Sequence, residues 1–222
     1  MPAEVTVLVF ARAARPGFTK TRLIEAVGAE GAANLSAAFL DDTLTSLDEL
    51  PQTVELFAAA EVDRPILEAR YPQHAVHQQI DGDLGERMRD AAMRGLRESD
   101  AVLIVGSDAP TLPLSHLERA VEALRDGVEL VLGPSADGGY TAIGLRSPPE
   151  LNGVRWSSRE TLRDTLRVLS HRRRLLLPPW YDVDTVEDLR LLRTHLNTRS
   201  GLAPHTRAVL DRMRFDQAAE PE

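Results

Sequence analysis

The run Val5-Thr6-Val7-Leu8-Val9-Phe10 is almost unbroken in apolar character and rich in β-branched residues. That pattern predicts a parallel strand buried on both faces. Residues 31–50 follow a helical period instead. At about 100° per residue, Ala32, Leu35, Phe39, Leu40, Leu44, Leu47 and Leu50 share one half-circle. Asn34, Asp41, Asp42, Thr45, Asp48 and Glu49 fill the other, the expected solvent face.

The alternation then repeats. Strands are predicted at Thr53–Ala60, Ala75–Ile80, Ala101–Gly106, Glu129–Gly133, Tyr140–Leu145 and Arg174–Leu177. Helices are predicted at Pro65–Tyr71, Leu84–Arg97, Ser115–Arg125, Ser157–Leu169, Thr185–Leu196 and Arg207–Arg214. Three helix starts carry a Ser or Asp three residues before a Glu: Asp83 with Glu86, Ser115 with Glu118, and Ser157 with Glu160. Each pair can form a capping box. Strand–helix alternation along the whole chain means an α/β domain with a mainly parallel sheet flanked by helices. No repeat, low-complexity tract or linker interrupts it. One domain over residues 1–215 with a frayed tail at 216–222 is expected.

Composition narrows the function classes. The net charge is −8, which does not suit a protein that coats nucleic acid or an anionic membrane. The basic run His171–Arg174 reads as a solvated approach to a strand. Cysteine is absent, so disulfides, thiolate metal sites and a cysteine nucleophile are excluded, and a reducing compartment is suited. No stretch reads as the roughly 18–20 apolar residues of a membrane helix. Val5–Ala11 is too short for a signal-peptide core and no cation precedes it, so a cytoplasmic protein without membrane insertion is expected. Of the 26 basic residues, Lys20 is the single lysine; all the others are arginine.

In open parallel sheets, ligands bind beyond the carboxyl ends of the strands. After the first predicted strand comes a loop with four cations, Arg12, Arg15, Lys20 and Arg22. The later strands are followed by Asp108, by Asp137-Gly138-Gly139-Tyr140 and by Asp182-Val183-Asp184. Cations on one loop and carboxylates on the others suit a ligand with a phosphate part and a bound divalent ion. Mg²⁺ takes a few carboxylate oxygens and completes its shell with water and phosphate, while Lys and Arg neutralise the phosphates. Asp108 and Asp184 are the metal candidates. Asp184 is as well placed to cap the following helix, and Asp108 to brace a turn before Pro110. Asp137-Gly138-Gly139 reads equally as a hairpin turn and as a site whose glycines admit a substrate to the backbone.

Other motifs fail. A phosphate-binding Walker loop needs Gly where this chain has Thr19 and Ala14. Gly133–Asp137 misses the nucleophile elbow at its last position, and no GxGxxG follows a strand. His74 and His77, three apart on a predicted strand, point to opposite faces and make no metal pair.

Five segments occur in order: Arg12…Pro16-Gly17-x-x-Lys20-Thr21-Arg22-Leu23, Gly106-Ser107-Asp108-x-Pro110-Thr111-Leu112, Gly133-Pro134-x-x-Asp137-Gly138-Gly139-Tyr140, Trp156-Ser157 and Asp182-Val183-Asp184-Thr185. Together they resemble a bacterial family of small glycosyltransferase-A-fold proteins, long labelled a domain of unknown function, some of whose members are named arsenosugar-biosynthesis glycosyltransferases. The resemblance spans roughly Val5 to Leu192. It implies a nucleotide-diphospho-sugar transferase fold, Rossmann-like, and a divalent-metal carboxylate at Asp108. The chain departs from the family pattern with Arg12 for Lys, Ala14 for Pro, Ala109 for Cys, Thr141 for Tyr and Val186 for Pro. None of these removes a supposed ligand. The Lys20–Leu23 and Asp182–Thr185 segments also resemble guanylyltransferases of deazaflavin-cofactor synthesis, and molybdenum-cofactor guanylyltransferases share the fold.

These readings converge on a metal-dependent transferase that uses a nucleotide-activated donor and a small-molecule acceptor. An NDP-sugar glycosyltransferase is the first expectation. A nucleotidyltransferase acting on an NTP is the second, and a non-catalytic nucleotide-binding protein the third. Mg²⁺ or Mn²⁺ is expected on Asp108 and Asp184. The phosphates fall to Arg12, Arg15, Lys20 and Arg22, with Lys20 also catalytic. The acceptor falls to Gly138, Gly139, Tyr140 and Trp156, with Asp137 as base or hydroxyl-orienting group.

Overall fold

A computed structural model describes residues 3–215; the expected tail at 216–222 lies outside the described residues. Seven strands form one sheet: β1 (Val5–Ala11), β2 (Thr53–Ala58), β3 (Ala75–Gln78), β4 (Ala101–Gly106), β5 (Leu130–Pro134), β6 (Tyr140–Leu145) and β7 (Arg174–Leu176). Their order across the sheet is β3-β2-β1-β4-β6-β5-β7. Only β6 runs antiparallel, paired with β4 on one side and β5 on the other. The carboxyl ends of the six parallel strands therefore share one edge with the start of β6.

The helices are α1 (Ile24–Leu47), α2 (Asp63–Arg70), α3 (Leu84–Gly95), α4 (Leu114–Arg125), α5 (Thr161–Val168), α6 (Val186–Thr198) and α7 (Pro204–Met213). Alternation along the strands supplies two cores. Val5, Val7 and Val9 of β1 face a layer with Leu44 and Leu47 of α1 and Leu117 and Leu124 of α4. Leu8 faces the opposite layer with Met88 and Ala91 of α3. A third cluster joins Leu35 and Phe39 of α1 to Leu189 and Leu192 of α6 and Val209 and Leu210 of α7.

That third cluster corrects two expectations. Asp42, assigned to the solvent face of α1, is 2% exposed because α7 packs there. Its carboxylate accepts from the backbone N–H groups of His205 at 3.0 Å and Thr206 at 2.8 Å. A side chain of α1 thus satisfies the first turn of α7, whose own flanking residue, Ala203, supplies no cap. Burial pushes the Asp42 carboxyl above its ordinary range, against the pull of those hydrogen bonds. Secondly, Thr21–Leu47 is long and apolar enough, by length and composition, to cross a bilayer, with mean hydropathy 1.2. Its apolar residues here pack on two sides, against the sheet layer and against α6 and α7. Non-helical backbone at Gly28 (φ 73°) breaks it near its start.

Of the three expected capping boxes, only Asp83–Glu86 forms. Helix α4 begins after Pro113 and α5 after Glu160, neither with a side-chain cap. Ser157 instead adopts φ 52° in the loop before α5.

Candidate active site

The loop after β1 tightens at Gly17 (φ 82°), where Phe18 N donates to the Arg15 carbonyl at 3.0 Å. It then places Lys20 in the left-handed region (φ 48°, ψ 44°), a costly conformation for a residue with a side chain. From there the Lys20 side chain, 6% exposed, reaches across to two other loops. Its ammonium donates to Asp184 Oδ1 at 2.8 Å and the Val183 carbonyl at 2.7 Å, and forms an ion pair with Asp108 Oδ1 at 2.8 Å. Burial disfavours the charged amine, but the two carboxylates outweigh it and hold the Lys20 pKa above its usual value.

A backbone bond makes this convergence possible. Val183 N donates to the Asp108 carbonyl at 2.9 Å, tying the loop after β4 to the segment before α6. Val183 is fully buried and anchors that segment in the core. The segment is also stitched to the end of β5: Trp180 N donates to the Pro134 carbonyl and Ala136 N to the Trp180 carbonyl. Helix α6 is capped by Thr185, in a reciprocal box with Asp188. The cap therefore falls on Thr185, and the Asp184 carboxylate points at Lys20.

Two cavities meet at Asp108. The first, about 440 Å³, is lined by Arg12, Lys20, Arg22, Gln79, Asp108 and Asp184, among others. Neither Arg12 nor Arg22 pairs with a carboxylate among the described residues. The second, about 210 Å³, is bounded by Asp108, Ser135, Asp137, Gly139, Tyr140 and Asp182, with Ser157, Ser158 and Thr161 on its far side. Asp182 accepts from Ser135 Oγ at 2.7 Å. Burial pushes its carboxyl up, the serine hydroxyl pulls it down, and nearby Asp137 and Asp184 push it up again. Burial also raises the Tyr140 phenol.

The structure brings most of the nominated residues to these cavities and leaves three outside. Arg15 lines neither; its guanidinium pairs with the fully buried Asp63 at 3.2 Å. Gly138 lies behind the second cavity, where its φ of 92° and the backbone of Arg159 leave no room for a Cβ atom. Trp156 packs beside Gly85 and the second core layer rather than on the cavity wall. The Asp137-Gly138-Gly139 segment is a hairpin turn. Asp137 Oδ1 accepts from Gly139 N at 2.8 Å, and Ser135 N donates to the Gly139 carbonyl.

Sequence reasoning did not nominate Gln79, Ser135, Asp182 or Phe18 as site residues. Ser135 and Asp182 follow strand ends, the signal that found Asp108, whereas Gln79 falls inside the strand predicted at Ala75–Ile80 and leaves it only because β3 ends at Gln78.

Two carboxylate oxygens converging on one cationic centre fit a hard divalent ion as well as an ammonium, and each carboxylate is roughly half exposed towards the cavity. Among the described residues, no group of three or more His, Cys, Asp or Glu side chains could hold a metal. A divalent ion on Asp108 and Asp184 would thus take its remaining ligands from water and bound phosphate.

Residues 36–158 match the family model DUF2064, described as an uncharacterized protein conserved in bacteria. No curated protein matches the chain. Among solved structures, the chain is similar to a candidate nucleotide-diphospho-sugar transferase from Desulfovibrio desulfuricans. The two are 33% identical over 96% of this chain and 97% of that one, with a TM-score of 0.89. It is also similar to a cytidylyltransferase from Leptospira borgpetersenii, at 17% identity over 96% and 94% of the two chains and a TM-score of 0.61. A 4-diphosphocytidyl-2C-methyl-D-erythritol synthase from Anaerococcus prevotii shares the fold at 12% identity, 86% and 96% coverage and a TM-score of 0.55. The fold is that of the nucleotide-diphospho-sugar transferases, as the sequence motifs imply.

Proposed function

The chain belongs to the bacterial family DUF2064, and we propose that it is a metal-dependent transferase that moves a glycosyl group from an NDP-sugar to a small-molecule acceptor. One observation carries the reading. The carboxylates of Asp108 and Asp184 converge on the Lys20 ammonium at the wall of a cavity that Arg12 and Arg22 also line. A diphosphate with a divalent ion matches that arrangement in charge, and the resemblance to the Desulfovibrio protein, a candidate nucleotide-diphospho-sugar transferase, supports a nucleotide-using transferase.

Asp108 and Asp184 would hold Mg²⁺ or Mn²⁺, which when bound supplies charge neutralisation to the departing diphosphate. Arg12 and Arg22 face the same phosphates. Lys20 keeps the two carboxylates on one centre and offers its charge to the leaving group when a ligand draws it away from them. The acceptor sits in the second cavity with its hydroxyl towards Asp137, whose Oδ2 is not used by the turn. There the hydroxyl oxygen bonds to the anomeric carbon, the bond to the diphosphate breaks, and Asp137 receives the proton.

The three cavity cations favour a second reading, nucleotidyl transfer from an NTP, because a triphosphate carries more charge for them to offset. The shared fold of cytidylyltransferases is compatible with it. A thermal-shift panel of NTPs and NDP-sugars, each with and without Mg²⁺, separates the readings. Mg²⁺-dependent stabilisation by an NDP-sugar, with release of NDP in the presence of an acceptor, is the expected result. Preference for an NTP with release of diphosphate establishes the second. Metal-independent binding without turnover would mark a nucleotide-binding protein and end both.

A further inference from the structure

A third cavity, about 260 Å³, opens beside the two already described. Its walls are largely apolar: Phe10 of β1, Ile104 of β4, Ile143 of β6, Leu84 and Met88 of α3, and the ring of Tyr140. Ile104, Ile143 and Met88 are buried members of the second core layer, so this chamber is a recess in the top of that core. It shares Phe10 and Ser107 with the first cavity. Gly106, Tyr140 and Thr141 line the chamber and the second cavity but not the first.

The junction with the second cavity is thus made partly by a glycine. Gly106, Gly133 and Gly144 all lie within strands. Two of them are explained by packing. A Cβ atom on Gly133 would lie 3.1 Å from Thr141 Oγ1, and one on Gly144 would lie 2.9 Å from Leu124 Cδ1. Gly106 has neither that reason nor a positive φ. Beyond its chain neighbours, the atom nearest to a Cβ there would be the Thr141 carbonyl oxygen, at 3.9 Å. A strand glycine weakens its strand and often marks a close approach of another backbone or of a ligand. No protein group makes that approach at Gly106, and its open side faces the passage between the chamber and the second cavity.

Charge narrows what can lie there. Neither the second cavity nor the chamber has an Arg, Lys or His on its walls. The second cavity carries Asp137 and Asp182, and Asp108 borders both. An anionic group in either space would lose water without gaining a partner, beside charges of its own sign. We propose that the acceptor is an uncharged alcohol with an apolar end, its hydroxyl in the second cavity and its apolar end past Gly106 in the chamber. This rests on the transferase reading above and deepens it by naming the acceptor class. The division is the usual one in small-molecule pockets, where a few polar groups orient the ligand and apolar walls supply affinity.

NMR titration with 1,2-propanediol, 1,2-butanediol, 1,2-pentanediol and 1,2-hexanediol, with Mg²⁺ and inorganic diphosphate present, tests the proposal. Affinity is expected to rise by roughly two- to fourfold with each methylene, as burial of a CH₂ group gives. A carboxylate at the far end, as in 5,6-dihydroxyhexanoate, is expected to weaken binding about tenfold or more relative to 1,2-hexanediol. Gly106→Val puts a branched side chain into the passage and suits a strand by propensity. It is expected to keep the melting temperature and diphosphate binding and to flatten the diol series to within about twofold. A flat series in the wild type, or equal binding of the carboxylate, overturns the inference whether or not Gly106→Val folds. An undiminished series in folded Gly106→Val does the same. Displacement of 1,2-hexanediol by UDP, CDP or GDP but not by diphosphate would give the chamber to the donor and also overturn it. Each of these results leaves the transferase reading standing. Failure of diphosphate to bind with Mg²⁺ removes that reading and the inference with it.

Discussion

The two cavities share Asp108 as a common wall, yet they are assembled in opposite ways. The cationic wall of the first comes from one contiguous stretch, Arg12 to Arg22, hung on the end of β1. The second is a composite of the β5–β6 hairpin, the Ser157–Thr161 loop and Asp182, brought together by backbone bonds between distant segments. The first gathers arginines and a lysine; the second gathers carboxylates and hydroxyls. In a chain of charge −8, a local cluster of cations creates a phosphate-seeking patch that the chain as a whole would repel. The neighbouring anionic cavity suits a hydroxyl that must lose a proton. Asp108 and Leu84 line both.

The sharpest way to break this division is at the shared wall. Asp108→Asn keeps the side-chain shape but removes the charge a divalent ion requires. It is expected to abolish Mg²⁺-dependent nucleotide binding while the protein remains folded. Calorimetry showing wild-type affinity in the variant would reduce Asp108 to a structural partner of Lys20.

Lys20→Arg probes the first cavity from its cationic wall. Three acceptors surround the ammonium within 2.8 Å, and a wider planar guanidinium cannot reproduce that set in the same space. Nucleotide affinity or turnover is expected to fall at least tenfold, about 1.4 kcal/mol or more. Steady-state kinetics with the melting temperature as a folding control measures it. Full activity would show that a generic positive charge suffices.

On the other side, Gly138→Ala attacks the turn that shapes the second cavity. A Cβ atom there would clash with the Arg159 backbone at a φ of 92°. A loss of roughly 2–3 kcal/mol is expected from strain and clash together, about 4–12 °C in Tm for a chain of this size. Diphosphate binding in the first cavity should survive at temperatures where the variant is folded. Urea unfolding alongside diphosphate titration reads both, and unchanged stability would mean the hairpin can reshape.

The smallest expected effect concerns the far side of the second cavity. Asp164 accepts from Arg155 Nε at 2.7 Å and Nη2 at 3.1 Å, just outside Ser157, Ser158 and Thr161. The guanidinium holds the Asp164 carboxyl down at about 2. Because the folded value lies below the unfolded one, the pair's stabilisation is fully present above about pH 4. It is lost as pH falls towards 2. Urea midpoints of wild type and Asp164→Asn should differ near neutrality and converge at pH 2. A gap that persists there would assign the effect to packing rather than charge.

The same contrast explains how much was legible beforehand. Strand–helix alternation and the motif order disclose the fold, because buried parallel strands must be continuous apolar runs and their ends must carry loops. Asp83–Glu86 is readable as a cap because both partners lie within one turn. Ser115–Glu118 and Ser157–Glu160 have the same spacing and form no cap, since neighbouring turns shift where α4 and α5 begin. The solitary Lys20 stands out by composition alone, and the cationic loop is visible as a contiguous segment.

What only the tertiary structure decides are the partnerships between residues far apart in sequence. Arg15 looks like its cationic neighbours, but the buried Asp63 claims it. Asp42 carries the pattern of a solvent-facing residue until α7 arrives to be capped. Asp184 is released from capping because Thr185 takes that role, and the bond from Val183 to the Asp108 carbonyl sets both carboxylates on Lys20. The amino-acid sequence by itself determines the elements, their order and the kinds of charge at each strand end, since these follow from local periodicity and composition. It does not determine which charge meets which. That choice is made by hydrogen bonds spanning up to 164 residues, whose geometry exists only once the sheet has brought the strand ends to one edge.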